Sequence, residues 1–310
     1  VIETHNLTKK FGRQAAVNML NLTVRRGTIF GLVGENGAGK TTTLSMLATL
    51  TAPTSGTAYI SGYEVSRQSA KVRQAIGYMP DTFGVYDAVT VTEYLLFFSD
   101  CYGVPTATAQ RRVHDLLEWV GLADKAGVYV NVLSRGMQQR LEIVRCLMHD
   151  PSVLILDEPS SGLDPRSRID MRTVLQRLRE LGKTVLISSH ILHELGSVAD
   201  EIGIVRGGEL AAIASINVLL AHSTAFRTLF LIGQGSPDVW ERVLRDDPKV
   251  MDVKRVHPGV EVVYAGTVEQ QAELMRSLLE NGIVLYQFAE RPTDIEQLFL
   301  RLTESEVKLS

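Results

Sequence analysis

Eight consecutive residues, Gly34-Glu35-Asn36-Gly37-Ala38-Gly39-Lys40-Thr41, fit the pattern G-x-x-x-x-G-K-[ST]. They fall between a β-branched run and a helical stretch, which is the context the pattern needs. The glycines let backbone N–H groups turn inward on an anion, and the helix starting near Lys40 aims its positive end at the same point. Lys40 adds a full charge, the Thr41 hydroxyl can ligate Mg²⁺, and Thr42 follows it into the helix. The expected ligand is a nucleoside triphosphate. A glycine-rich turn that holds nothing is the alternative, but at ordinary glycine abundance a chance match is rare in a chain of this length.

A second group follows an apolar run. Val153-Leu154-Ile155-Leu156 reads as a buried strand and ends on Asp157-Glu158. In open α/β sheets the carboxyl ends of the strands face the ligand crevice, so both carboxylates are expected there. Asp157 is placed to hold the metal, directly or through water. Glu158 is placed to orient and deprotonate the attacking water in a phosphoryl transfer that depends mostly on positioning and charge stabilisation. Adjacent carboxylates often only cap the next segment; after an apolar strand and beside a phosphate loop, the catalytic reading is the stronger one.

These two elements also occur together in kinases and GTPases. The segment that decides between them is Leu133-Ser134-Arg135-Gly136-Met137-Gln138-Gln139-Arg140, which closely resembles the LSGGQ signature of the ATP-binding cassette (ABC) family. In that resemblance Ser134 caps a helix, and the helix N-terminus and hydroxyl form a second phosphate site. Further positions extend it. Phe11 falls where the family stacks an aromatic on adenine, Ser161-Gly162-Leu163-Asp164 resembles the dimer-contacting loop, and His190 matches the switch histidine. Asp81 stands where the family normally has glutamine, and Arg135 replaces the first glycine of the signature. Asp81 is expected to remain a metal-linked sensor, since a carboxylate offers oxygen as an amide does but brings a negative charge. The resemblance leaves open whether Arg135 pairs with phosphates or points outward.

The resemblance covers residues 1–213 and implies an ATPase with ATP and Mg²⁺ as ligands. It implies a head-to-tail homodimer in which each ATP lies between one subunit's phosphate loop and the other's Ser134 and Gly136. Integral membrane permease subunits are the implied partners, met through the segment near Asp81, residues 83–91 and the helical insertion. The chain would then sit in the cytoplasm, peripheral on the inner face of the cell membrane. It looks most like bacterial exporter-type cassettes associated with antibiotic, drug or sodium efflux. The alternatives are a soluble mechanical ATPase acting on ribosomes or DNA, and a regulatory nucleotide-binding subunit without turnover. Intact Lys40, Asp157, Glu158 and His190 argue against the second.

The elements that must position these residues are legible in outline. Residues 28–33, 153–156, 184–188 and 202–205 read as strands alternating with helices, which argues for an α/β core with parallel strands. From about 90 to 150 strand signals vanish, and 91–102, 106–120 and 135–149 read as helices of an insertion. This pattern gives an α/β core with a helical insertion, and the resemblance implies that it is a P-loop NTPase core of the ABC ATPase kind. Residues 206–209 read as a hairpin turn, and this domain is expected to end near Ile213. Residues 214–310 then follow a different order. After a short helix come strand 226–232, helix 237–246, strands 250–256 and 260–264, helix 267–281, strand 283–288 and helix 293–302. That is a small α+β, ferredoxin-like split unit with an accessory role.

Composition sets limits. Thirty-two Lys and Arg against 35 Asp and Glu leave a net charge of -3, so no broad basic field exists to hold nucleic acid, and none is expected as a partner. No apolar run approaches the roughly 18 residues of a membrane span. The first residues carry Glu3, Lys9 and Lys10 and do not resemble a secretory signal. Cys101 and Cys146 have no paired spacing and read as ordinary reduced thiols. His5, His114, His149, His193, His222 and His257 have no such placement and are background.

Overall fold

The computed structural model describes residues 1–82, 84, 88–216 and 227–291, with the backbone alone at His193. The chain divides into two compact units, Val1–Ser215 and Ile216–Ser310.

Two sheets build the first unit. Strands β1 (Ile2–Phe11), β2 (Gln14–Val24), β4 (Ser55–Ile60) and β5 (Tyr63–Glu64) form an antiparallel sheet in the order β2-β1-β4-β5. Strands β3 (Ile29–Val33), β6 (Ile76–Met79), β7 (Val153–Leu156), β8 (Thr184–Ser189), β9 (Glu201–Arg206) and β10 (Glu209–Ser215) form the other, in the order β10-β9-β3-β8-β7-β6. Within it β3 runs parallel to β8 and β9, and β7 parallel to β6 and β8; only β9 and β10 pair antiparallel. Every residue of β3, β7 and β8 is buried, which is why these strands read as unbroken runs without alternation. Strand β10 continues to Ser215, so the unit closes beyond Ile213.

The core lies between the sheets. Ile2, Leu7, Leu20 and Leu22 of the antiparallel sheet meet Phe30, Leu32, Ile155 and Leu186 of the parallel one, together with Leu44 and Leu47 of helix α1 (Lys40–Leu47). Each such side chain contributes on the order of 1.5–3 kcal/mol on burial. This anchors β3 and α1 and hence the turn between them. Helix α2 (Ser69–Ala75) follows β5.

Helices α3 (Val91–Cys101), α4 (Thr106–Trp119) and α5 (Arg135–Leu147) form the insertion. Thr90 and Glu93 make a reciprocal capping box that starts α3, and Ser134 caps α5 by accepting from the Met137 N–H. A buried ionic cluster ties the insertion to the sheet. The Tyr94 hydroxyl donates to Glu142 Oε1, Arg145 Nη2 donates to Glu142 Oε2 at 2.7 Å, and the same nitrogen donates to the Tyr78 carbonyl of β6 at 2.7 Å. Helix α6 (Pro165–Glu180) begins at an Asp164 cap with Pro165 in its first turn, and α7 is the short Leu192–Leu195.

In the second unit, strands β11 (Arg227–Gln234), β12 (Val250–Val256), β13 (Gly259–Tyr264) and β14 (Val284–Arg291) form an antiparallel sheet in the order β12-β13-β11-β14. Helices α8 (Pro237–Asp246) and α9 (Val268–Glu280) complete a βαββαβ unit. Trp240, Val243 and Leu244 of α8 and Leu274 and Leu278 of α9 pack with Leu229, Leu231 and Val262 of the sheet. The helix expected at 293–302 and the short helix after Ser215 lie outside the described residues, apart from Ile216.

Candidate nucleotide site

The loop between β3 and α1 carries the phosphate-binding pattern. Gly39 has φ 107, and a β-carbon there would lie 2.4 Å from the Ala16 carbonyl oxygen, so a side chain is excluded on two counts. Lys40 is buried. Its Nζ donates to the carbonyls of Gly34 at 2.6 Å and Glu35 at 3.2 Å, and stands 3.5 Å from Glu158 Oε1.

A cleft of about 470 Å³ opens beside it. Phe11, Glu35, Asn36, Gly37, Gly39, Lys40, Thr41, Thr42, Asp81, Glu158 and His190 all line it, and so do Gln14, Ala16 and Ser161. Phe11 is 57% exposed at the end of β1, with Lys9 Nζ 5.1 Å from its ring centroid. Gly34 and Ala38 belong to the same loop without lining the cleft; Gly34 is pressed against the Val205 carbonyl. A separate recess behind Glu158, about 140 Å³ between α6 and β8, contains none of the loop residues.

Strand β7 delivers the carboxylates. Asp157 is fully buried; its N–H donates to the Met79 carbonyl at 2.9 Å and its Oδ1 accepts from the Ser188 hydroxyl at 2.5 Å. Its Oδ2 is buried without a hydrogen-bond partner. Burial raises the Asp157 carboxyl above the usual carboxylate range, the charges of Asp81 and Glu158 push it the same way, and the Ser188 and Thr41 hydroxyls oppose them. Thr41 does so from outside hydrogen-bond geometry, since Oδ2 has no donor. An orphaned acceptor among three like charges is a place for a cation. The residues present fit Mg²⁺: Asp157 and the Thr41 hydroxyl would offer it oxygens, with Asp81 on the wall of the same cleft. Among the described residues no three His, Cys, Asp or Glu side chains are grouped to hold a metal by themselves.

Glu158 has φ 49, a left-handed conformation rare for a residue with a β-carbon. Its N–H donates to Ser188 Oγ at 2.9 Å, and its Oε2 lies 2.8 Å from His190 Nδ1 just past β8. The Ser188 hydroxyl therefore holds both carboxylate residues at once. Sequence reading overlooked it, because a serine in a buried strand carries no local signal of its partner across the sheet.

Ser134 and Gly136 do not line the cleft of their own chain. They sit at the N-terminus of α5, Ser134 exposed and Gly136 buried against Ser167. Residues 83 and 85–87, expected near a partner, lie outside the described residues.

A family profile described as ABC transporter matches residues 17–161. The chain is 32% identical over 98% of its length to the linearmycin resistance ATP-binding protein LnrL of Bacillus subtilis (strain 168), of which 98% is covered. The chain belongs to the ABC transporter ATP-binding family. It is also 34% identical to the bacitracin transport ATP-binding protein BcrA of Bacillus licheniformis, over 97% of each chain. Among solved structures, the dimeric ATP-binding cassette MJ0796 in a post-hydrolysis state with ADP and Pi matches with a TM-score of 0.64 and 25% identity, over 70% of this chain and 99% of that one. The cassette is thus an ATP-binding and ATP-hydrolysing subunit of an ABC transporter, and readings as a ribosomal or DNA-acting ATPase, or as a subunit without turnover, are set aside. Among the described residues no helix is long and apolar enough to cross a membrane.

Proposed function

We propose that this cassette powers an exporter by closing on ATP as a head-to-tail homodimer and reopening after hydrolysis. The observation that carries the reading is the position of Glu158, held in the cleft between Lys40 at 3.5 Å and His190 at 2.8 Å. On ATP binding Lys40 exchanges the Gly34 and Glu35 carbonyls for phosphate oxygens, which frees Glu158. Glu158 then orients a water toward the γ-phosphate and takes its proton, while His190 fixes the carboxylate through Oε2. Phe11 stacks on the adenine. Asp157 and Thr41 would hold Mg²⁺, which when bound would neutralise charge on the phosphates.

Ser134 and Gly136 would meet the other subunit's nucleotide, completing a site that is half-built in one chain. ATP then adds contacts across the interface, and loss of the γ-phosphate removes them, so the nucleotide biases an open-to-closed equilibrium. Asp81 reports the metal's presence to permease subunits in the membrane, against whose cytoplasmic face the cassette lies. The relatives named for linearmycin resistance and bacitracin transport support an efflux direction. The test is a Glu158→Gln protein with ATP. It is expected to bind ATP, dimerise and stall; wild-type turnover in that variant removes Glu158 as the base.

A further inference from the structure

The signature carries a cation at its second position, and the structure shows where that cation goes. Arg135 is exposed, and among the described residues its guanidinium has no hydrogen bond or ion pair. It lies on Gly162 instead. A β-carbon built at Gly162 would meet Arg135 Cζ at 2.8 Å, Nη1 at 2.9 Å and Nη2 at 3.1 Å. Three nearly equal distances mean that the flat face of the guanidinium is turned toward Gly162. With φ 67 and no side chain, Gly162 is the residue type that offers such a surface.

What lies on either side of this contact gives it meaning. Ser161, adjacent to Gly162, lines the chain's own nucleotide cleft, and Glu158 begins the same loop. Ser134 and Gly136, adjacent to Arg135, do not line that cleft and in the proposed dimer would meet the second copy's nucleotide. A parallel contact strengthens the link. Gly136 packs so closely on α6 that a β-carbon would stand 2.4 Å from Ser167 Oγ, and Ser167 in turn donates to Asp164 at the end of the loop, at 3.0 Å from its N–H and 2.7 Å from its hydroxyl. The N-terminus of α5 is therefore packed against the loop 158–164 and the start of α6 at two places, Arg135 on Gly162 and Gly136 on Ser167.

We propose that Arg135 is a positioning residue that couples the two ATP sites of the dimer through its contact with Gly162. The proposal rests on the head-to-tail reading above. Binding at one site sets the position of α5, and the guanidinium carries that position to Ser161 and Glu158 of the other. Its work here is steric, done by a planar head on a bare backbone.

The experiment is ATPase rate against ATP concentration for the full chain, with sedimentation of Glu158→Gln proteins in ATP alongside. The wild type is expected to approach the two-site limit, a Hill coefficient of about 2. Arg135→Gly is expected to fall to about 1. Arg135→Lys is expected to fall with it, because lysine keeps the charge but has no planar head. Gly162→Ala pushes the guanidinium away and should lose cooperativity too, yet have no further effect on the Hill coefficient when combined with Arg135→Gly. The Arg135→Gly/Glu158→Gln protein should still dimerise in ATP. A wild-type Hill coefficient of about 1, or cooperativity that survives Arg135→Gly, overturns the proposal. Cooperativity kept in Arg135→Lys overturns it as well and assigns the cation to the other copy's phosphates. A Glu158→Gln protein that stays monomeric in ATP removes the dimer reading and this proposal together, whereas a dimer with unaltered cooperativity in Arg135→Gly removes the proposal alone.

Discussion

His190 Nδ1 and Glu158 Oε2 lie 2.8 Å apart, each at the carboxyl end of a neighbouring parallel strand, so the sheet itself sets their separation. Lys40 approaches the other oxygen of the same carboxylate at 3.5 Å. Three roles therefore separate by mutation. Glu158→Gln should lower kcat by about 10²- to 10⁴-fold with ATP affinity kept. His190→Ala should lower kcat with little change in KM, and Lys40→Ala should weaken ATP binding itself. Single-turnover kinetics with equilibrium nucleotide binding separate these; equal loss of binding in all three would contradict the assignment.

The orphaned Asp157 Oδ2 and the raised carboxyl around it predict metal dependence. Asp157→Asn should bind Mg²⁺-free ATP at least as well as wild type, because a repelling charge is gone, while Mg²⁺ no longer strengthens binding. Asp81→Asn should change turnover and its stimulation by the membrane partner. Calorimetric titration with and without Mg²⁺ checks the first, and unchanged ATPase in Asp81→Asn would count against a sensor at that position.

Glu142 and Tyr94 are buried and Arg145 is partly buried beside them, with the Arg145 guanidinium held charged despite desolvation and bonded to Glu142. Removing one partner leaves a charge uncompensated. Glu142→Ala should destabilise by about 3–5 kcal/mol, and Tyr94→Phe by about 1.5–3 kcal/mol. Urea unfolding of single and double variants measures both. Additive losses would mean the groups do not act as one cluster.

Burial pushes the Cys146 thiol up to about 12, opposed by Arg145 and aided by Glu142, and it lifts the Tyr94 phenol as well. Both groups keep their protons in the folded chain where the unfolded chain has lost them. Stability from this source is complete below about pH 8.5 and declines as pH rises from there toward 12. Cys146→Ala should flatten part of that decline in a series of thermal midpoints. Iodoacetamide at pH 8 should modify exposed Cys101 in the native chain and reach Cys146 only after unfolding. Rapid native labelling of Cys146 would contradict this.

The second unit has its own core and, among the described residues, no catalytic constellation, which fits a role in holding or timing the dimer. A chain ending at Ser215 should fold, hydrolyse ATP and dimerise more weakly. Dimerisation, turnover and transport all unchanged would remove that role.

What the sequence determined alone is whatever its neighbours along the chain enforce. The phosphate loop is local because Gly37 and Gly39 set its turns and Lys40 starts the helix that completes it. The Ser134 and Asp164 caps bond three residues on, and β7 announces itself by an apolar run ending in two acids. The antiparallel sheet of β1, β2, β4 and β5 was not legible. Register shifts within β1, with positive φ at Asn6 and Met19, break the alternation by which strands are recognised. Only tertiary structure decided that Ser188 holds Asp157 and Glu158 together, that Arg145 reaches the Tyr78 carbonyl, and that Arg135 rests on Gly162. Each of those contacts joins residues remote along the chain. Their pairing follows from strand order and helix packing, which no short window of sequence contains.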